Sequence, residues 1–212
     1  MRGLEMPATT TARAVGVWLH GLGAGADDFV PVAQMLARPE VYWLFPQAPD
    51  LPVTLNGGYR MPAWYDIRSL EPGPEREDFA QLQQSSAMVA TLVEQYCKKL
   101  AVDDIIVCGF SQGGAVALDL ALRGPLRLKA VVALSTYLAG DRTDATELNA
   151  NTPAYVGHGT HDDVVPLHRG QHVRDTLTAL GRPVTWGEFP MAHSVDAAEI
   201  QAIGAFLSGV LD

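Results

Sequence analysis

The sequence predicts an α/β fold, a mostly parallel sheet with helices on both faces and no large cap domain. Three observations point there. Short apolar runs alternate with helical patterns along the whole chain. The runs are continuously apolar, as strands covered on both faces must be, because an open-faced sheet would alternate polar and apolar residues. Finally, a G-x-S-x-G turn falls where a strand meets a helix.

The elements follow in order. AVGVWL (14–19) reads as the first buried strand, and a glycine-rich turn leads to a helix from about Asp28, its expected N-cap, to Ala37. VYWLF (41–45) is the second strand. A stretch rich in Pro and Gly then runs from about Gln47 to Glu77, too long for an ordinary connection and therefore expected to act as a lid or binding loop. Over 78–100, Phe79, Leu82, Val89, Leu92, Val93 and Tyr96 recur at helical spacing. IIVCGF (105–110) is a strand and Gln112–Leu122 a helix. KAVVAL (129–134) and PAYVGH (153–158) are strands, and a helix follows from about Leu167 to Leu180. PVTWGEF (183–189) is the sixth strand, and a last helix covers about 196–211. Crossovers between parallel strands should be right-handed.

The 212 residues suit one domain with a sizeable core. A net charge of −9 without any Lys/Arg run disfavours nucleic acid, since an acidic surface repels phosphate. Lys98-Lys99 is the densest basic pair and suits a helix C-terminus. Cys97 and Cys108 lie in apolar patterns and are expected to be free, buried thiols. No apolar run is long enough for a membrane span, and the first 14 residues lack the apolar core of a signal peptide, so stable membrane insertion is not expected and a cytoplasmic location follows by default.

Open α/β sheets place their chemistry in the turns after the strands. In Gly109-Phe110-Ser111-Gln112-Gly113 the turn presents Ser111, and the helix starting behind it aims free N–H groups at a developing oxyanion. A serine hydroxyl is a weak nucleophile unless a base takes its proton. The fold supplies its partners in the order Ser, acid, His. His193 follows the last strand as base, and Asp162 and Asp163, after PAYVGH, compete evenly for the acid that would hold its tautomer. Activity should rise as His193 loses its proton. Asp103, Asp104, Asp141 and Asp144 read as caps and solvated turns.

His20-Gly21-Leu22-Gly23 follows the first strand, and the backbone N–H groups of Leu22 and Gln112 are the candidate oxyanion donors. His20 is expected to be structural there. In the long loop, Trp64, Tyr65 and Ile67 either wall an acyl pocket or anchor the loop on the core. A metal site from His158, His161, Asp162, His168 and His172 lacks any HExxH-type motif, and His168 and His172 suit a solvated helix start. No metal or cofactor is expected.

Taken together, WLHGLGA (18–24), FPQAP (45–49), VTLNGGYRMPAWYDI (53–67), GFSQGGAVAL (109–118), ALSTYL (133–138), HGTHDDVVP (158–166) and FPMAHSV (189–195) make the chain resemble, over about 14–211, the phospholipase/carboxylesterase family, which joins bacterial carboxylesterases and acyl-protein thioesterases. The bacterial carboxylesterases look nearer. The resemblance implies the α/β-hydrolase fold, with Ser111 as nucleophile, His193 as base and Asp162, the first aspartate of the pair, as acid. It further implies oxyanion donors Leu22 and Gln112, a substrate groove along Leu22, Trp64 and Ile67, no cofactor, and a possible homodimer. The implied activity is hydrolysis of short- to medium-chain carboxylic esters through an acyl-enzyme, with a small-molecule ester as partner. An acyl-protein thioesterase or lysophospholipase using the same triad is the alternative, and a catalytically dead ligand-binding module a remote one. Thr160 stands where many eukaryotic thioesterases carry an aspartate, and the segment after Ile67 looks short and charged.

Overall fold

The computed structural model describes residues 2–71, 73, 75–141 and 144–211, with the side chain of Asp141 outside that set. The six expected strands are present as β2 (Ala14–Leu19), β3 (Val41–Pro46), β6 (Asp104–Phe110), β7 (Ala130–Leu134), β8 (Ala154–Gly159) and β9 (Val184–Phe189). They pair in parallel in the order β3-β2-β6-β7-β8-β9. Among the described residues five α-helices cover the two faces: α1 (Val30–Leu36), α2 (Phe79–Leu100), α3 (Gln112–Arg123), α4 (Leu167–Ala179) and α5 (Ala197–Leu211). Side chains alternate across the pleat, so each strand feeds two cores. Val15, Val17, Val107, Ala133 and Val156 meet α2, α3 and α4 on one face, and Trp18, Trp43, Ile106, Leu134 and Tyr155 meet α1 and α5 on the other.

Four expectations need correction. A seventh strand, β1 (Gly3–Met6), lines the β3 edge antiparallel. The stretch after Gln47 is no bare loop: β4 (Asp50–Val53) and β5 (Tyr59–Pro62) form a two-stranded ribbon around a left-handed Gly57-Gly58 turn, and Ile67 bridges Glu77. Asp28 is not the cap of α1. That helix starts at Val30, where Pro31 fixes its first turn, and Phe29 precedes it without a side-chain cap. By contrast, Asp78 caps α2, accepting the Gln81 N–H at 3.0 Å. Asp104 lies in β6 and pairs with Lys129, rather than in a solvated turn. Exposed Asp144 lies 3.5 Å from Arg123. Cys97 and Cys108 are free thiols, Cys108 buried and Cys97 half-buried.

No helix among the described residues is long and apolar enough to cross a membrane. The carboxyl ends of β2, β6, β8 and β9 carry Leu22, Ser111, Asp162 and His193 respectively, so one edge of the sheet gathers them.

Candidate active site

Ser111 stands between β6 and α3 with φ 53° and ψ −118°. A non-glycine residue adopts that conformation only when its surroundings impose it. The constraints are visible. The Ser111 N–H donates to the Leu134 carbonyl at 2.9 Å, and the Ser111 carbonyl accepts from Ala115 N–H and from Thr136 Oγ1 at 2.6 Å. The flanking glycines are required by space. A Cβ on Gly109 would lie 2.3 Å from the Gly113 carbonyl oxygen, and one on Gly113 would lie 2.2 Å from that of Leu19.

The acid and base arrive on neighbouring turns. Asp162 is buried and Asp163 exposed, and Asp162 Oδ2 accepts from His193 Nδ1 at 2.7 Å. The other carboxylate oxygen, Oδ1, accepts the N–H groups of Val164 and Val165, so the carboxylate is fixed before it meets the imidazole. That geometry settles which aspartate pairs with the histidine. Gly159 lets the two turns cross, since a Cβ there would meet the Met191 and Ala192 carbonyl oxygens at 2.4 Å. The His193 ring packs on Phe110 with centroids 4.6 Å apart, which sets the imidazole beside the residue that precedes Ser111.

The turn after β2 is held from below. The His20 Nδ1–H donates to the Gly21 carbonyl at 2.8 Å, and Nε2 accepts the Ala48 N–H. This network fixes one neutral tautomer, and burial lowers the pKa of His20 in agreement with it. The Gly23 N–H donates to Pro62 at 2.8 Å, which ties the turn to β5. Neither the Leu22 nor the Gln112 backbone N–H has an acceptor among the described residues, as an oxyanion donor requires.

Two side chains do more than the sequence suggested. Gln112, buried at 1%, accepts the Trp64 N–H and donates to the Tyr65 carbonyl, while Ser85 Oγ donates to the Trp64 carbonyl. His158 lies beneath Asp162, donating from Nε2 to the Val165 carbonyl at 2.7 Å. Its sequence signal was the spacing of four residues before Asp162.

Trp64 and Ile67, expected along a substrate groove, are instead buried in the core. Trp64 Nε1 donates to the His20 carbonyl, so this tryptophan is a strut under the turn rather than an open wall. Leu22 alone of the three is partly exposed. His161, His168 and His172 are exposed and share no cluster able to hold a metal among the described residues. A cleft of about 880 Å³ opens beside the oxyanion turn, lined by Gly23, Ala24, Pro49, Pro62, Met88 and Leu92 among others. No triad residue lines it, so the reacting atoms belong at the turn and not in that cleft.

The family model for phospholipases and carboxylesterases matches residues 6–211. The chain belongs to that family. As a member of the phospholipase/carboxylesterase family it is a serine hydrolase acting on ester or thioester bonds. An acyl-protein thioesterase 1 from Neurospora crassa is 33% identical over 97% of this chain and 90% of the fungal one. An acyl-protein thioesterase 2 from Zea mays superposes with a TM-score of 0.89 at 30% identity, covering 100% of this chain and 99% of the plant one. A carboxylesterase from Bacillus cereus shares 20% identity with a TM-score of 0.80 and covers 98% of this chain and 93% of its own, a likeness of fold alone. The expectation that bacterial carboxylesterases stand nearer is therefore corrected in favour of the eukaryotic thioesterases.

Proposed function

We propose that the chain is an acyl thioesterase of the acyl-protein thioesterase kind, which hydrolyses oxygen esters through the same acyl-enzyme. The observation that carries this reading is the pairing of partly exposed His193 with buried Asp162, on the turn beside Ser111. Relatives at about one third identity that are named acyl-protein thioesterases favour thioesters over the simple carboxylesterase first expected.

In this reading His193 removes the Ser111 proton as Oγ attacks the acyl carbonyl. Asp162 stabilises the imidazolium without taking the proton itself. The Leu22 and Gln112 N–H groups hold the tetrahedral oxyanion. His193 then protonates the leaving thiol or alcohol, and water repeats the cycle on the acyl-enzyme. Because Trp64 and Ile67 are buried, the acyl chain is expected to lie across Leu22 rather than in a deep tunnel past them.

The test compares kcat/KM on S-acyl peptides and matched oxygen esters from acetyl to palmitoyl, with Ser111→Ala as control. Thioester turnover above oxygen-ester turnover at equal chain length supports the thioesterase. The reverse order, with a peak at short chains, returns the reading to a carboxylesterase. No Ser111-dependent turnover on any member removes the triad assignment.

A further inference from the structure

The last helix carries one acid on its buried side. Glu199 shares a stripe with Ile203, Leu207 and Leu211, yet it is 0% exposed. Neither carboxyl oxygen has a hydrogen-bond partner among the described residues. A buried polar group without a partner costs stability and calls for an explanation.

The sheet has been emptied to receive it. Gly157 on β8 and Gly187 on β9 are register partners. A Cβ on Gly157 would lie 2.0 Å from Glu199 Oε1, and one on Gly187 would lie 2.8 Å from the Tyr155 hydroxyl. Two missing side chains thus form one trough, filled by a carboxyl, a phenol and the edge of the Phe189 ring, and that phenol too has no hydrogen-bond partner among the described residues. The trough is joined to all three parts of the site. Glu199 lies six residues after His193, on the helix that the His193 turn feeds. Gly157 lies on the strand that delivers Asp162, and its carbonyl accepts the N–H of Ser135, next to the Leu134 carbonyl that holds Ser111.

We infer that Glu199 is a positioning residue for the triad: its carboxyl, seated in the Gly157–Gly187 trough, locks the His193 turn and α5 onto the strand that carries Asp162. The role rests on the triad reading above. Burial raises the Glu199 pKa to about 8, with Asp196 adding to it. The surroundings offer an anion little. Asp196 faces it from its own turn and Tyr155 from β8, while Leu134 and Gly187, in register with Gly157 on β7 and β9, are uncharged. The α1 side sends Arg38 to α5, but it binds at Gly204 and Ser208, further along the helix. Ionisation at alkaline pH places an uncompensated charge in the trough and loosens the His193 turn.

The experiment follows the rate at which a fluorophosphonate labels Ser111 between pH 6 and 10, with thermal melts over the same range. It uses the full chain, Glu199→Gln, Tyr155→Phe and Ser111→Ala. The expected wild-type rate falls about tenfold by pH 9, one unit above about 8. In Glu199→Gln the fall over that interval shrinks to less than about twofold, because the amide cannot ionise, and the acid limb set by His193 stays in place. Tyr155→Phe should keep the alkaline fall. The same alkaline limb in wild type and Glu199→Gln would overturn the positioning role, as would a change in melting temperature without any change in the rate profile. Equal labelling of Ser111→Ala would instead sink the triad reading, and it is told apart because the melts still report whether the carboxyl ionises near pH 8.

Discussion

The two supports of the site are built on opposite principles. Beneath the oxyanion turn, both His20 nitrogens, both Gln112 amide atoms and Trp64 Nε1 have protein partners. On the strands and helix that flank the histidine's turn, the carboxyl of Glu199, the hydroxyl of Tyr155 and the Nδ1 of His158 have none among the described residues. Backbone donors must stand still to receive an oxyanion, and a satisfied network provides that stillness. The histidine is held differently, by one carboxylate in front and by close packing behind.

The sharpest way to break this contrast is at the carboxylate. Asp162→Asn should lower kcat by about 10⁴-fold, because the amide favours the wrong imidazole tautomer. Asp163→Asn, on an exposed neighbour, should change it less than about twofold. Steady-state kinetics on both variants check this, and equal losses would undo the assignment.

On the oxyanion side the effect should appear as stability. Gln112→Ala strands the Trp64 N–H and the Tyr65 carbonyl, at a cost on the order of 3 kcal/mol read as a shift in the urea midpoint. On the packed side Gly170→Ala puts a Cβ 2.2 Å from the Nδ1 of fully buried His158, so about 1–3 kcal/mol should be lost through overpacking. If Gly170→Ala were harmless, the packing beneath the imidazole would be looser than the comparison holds.

The smallest effect is one of pH. Burial lowers the pKa of both His20 and His158. The folded protein therefore keeps them neutral while the unfolded chain takes up protons below about 6.5. Their contribution is complete above that pH and declines as pH falls toward the folded values. Melting temperatures at pH 7 and pH 5 should differ in that sense, and a higher melting temperature at pH 5 would contradict it.

The legible parts of the chain were those where local pattern and tertiary role agree. Continuously apolar strands and the glycines around Ser111 marked the sheet and its chemistry, because a parallel strand is buried on both faces. β1 escaped, since GLEM is four mostly exposed residues, without an apolar run, paired to the β3 edge. The β4–β5 ribbon escaped because Pro52 and Pro62 argue against strands, although Asn56-Gly57 was a turn signal in plain sight. Trp64 illustrates a different limit: an aromatic residue in a loop has the same spacing whether it walls a pocket or braces a turn. Glu199 carried a usable signal, an acid at a four-residue interval before Ile203 and Leu207, which places a carboxyl on a buried stripe.

The β4–β5 ribbon has a practical consequence. It is a two-stranded piece outside the main sheet with an exposed Tyr59 at its turn, and its Pro62 carbonyl receives the Gly23 N–H next to Leu22. Small isolated ribbons open at lower free energy than the sheet they flank. Shelf life as a catalyst should therefore be governed by the ribbon and not by the helices on the two faces of the sheet: warming should silence the enzyme while its circular dichroism still looks folded, and a cross-link across β4 and β5 would lengthen its working half-life without moving its melting point.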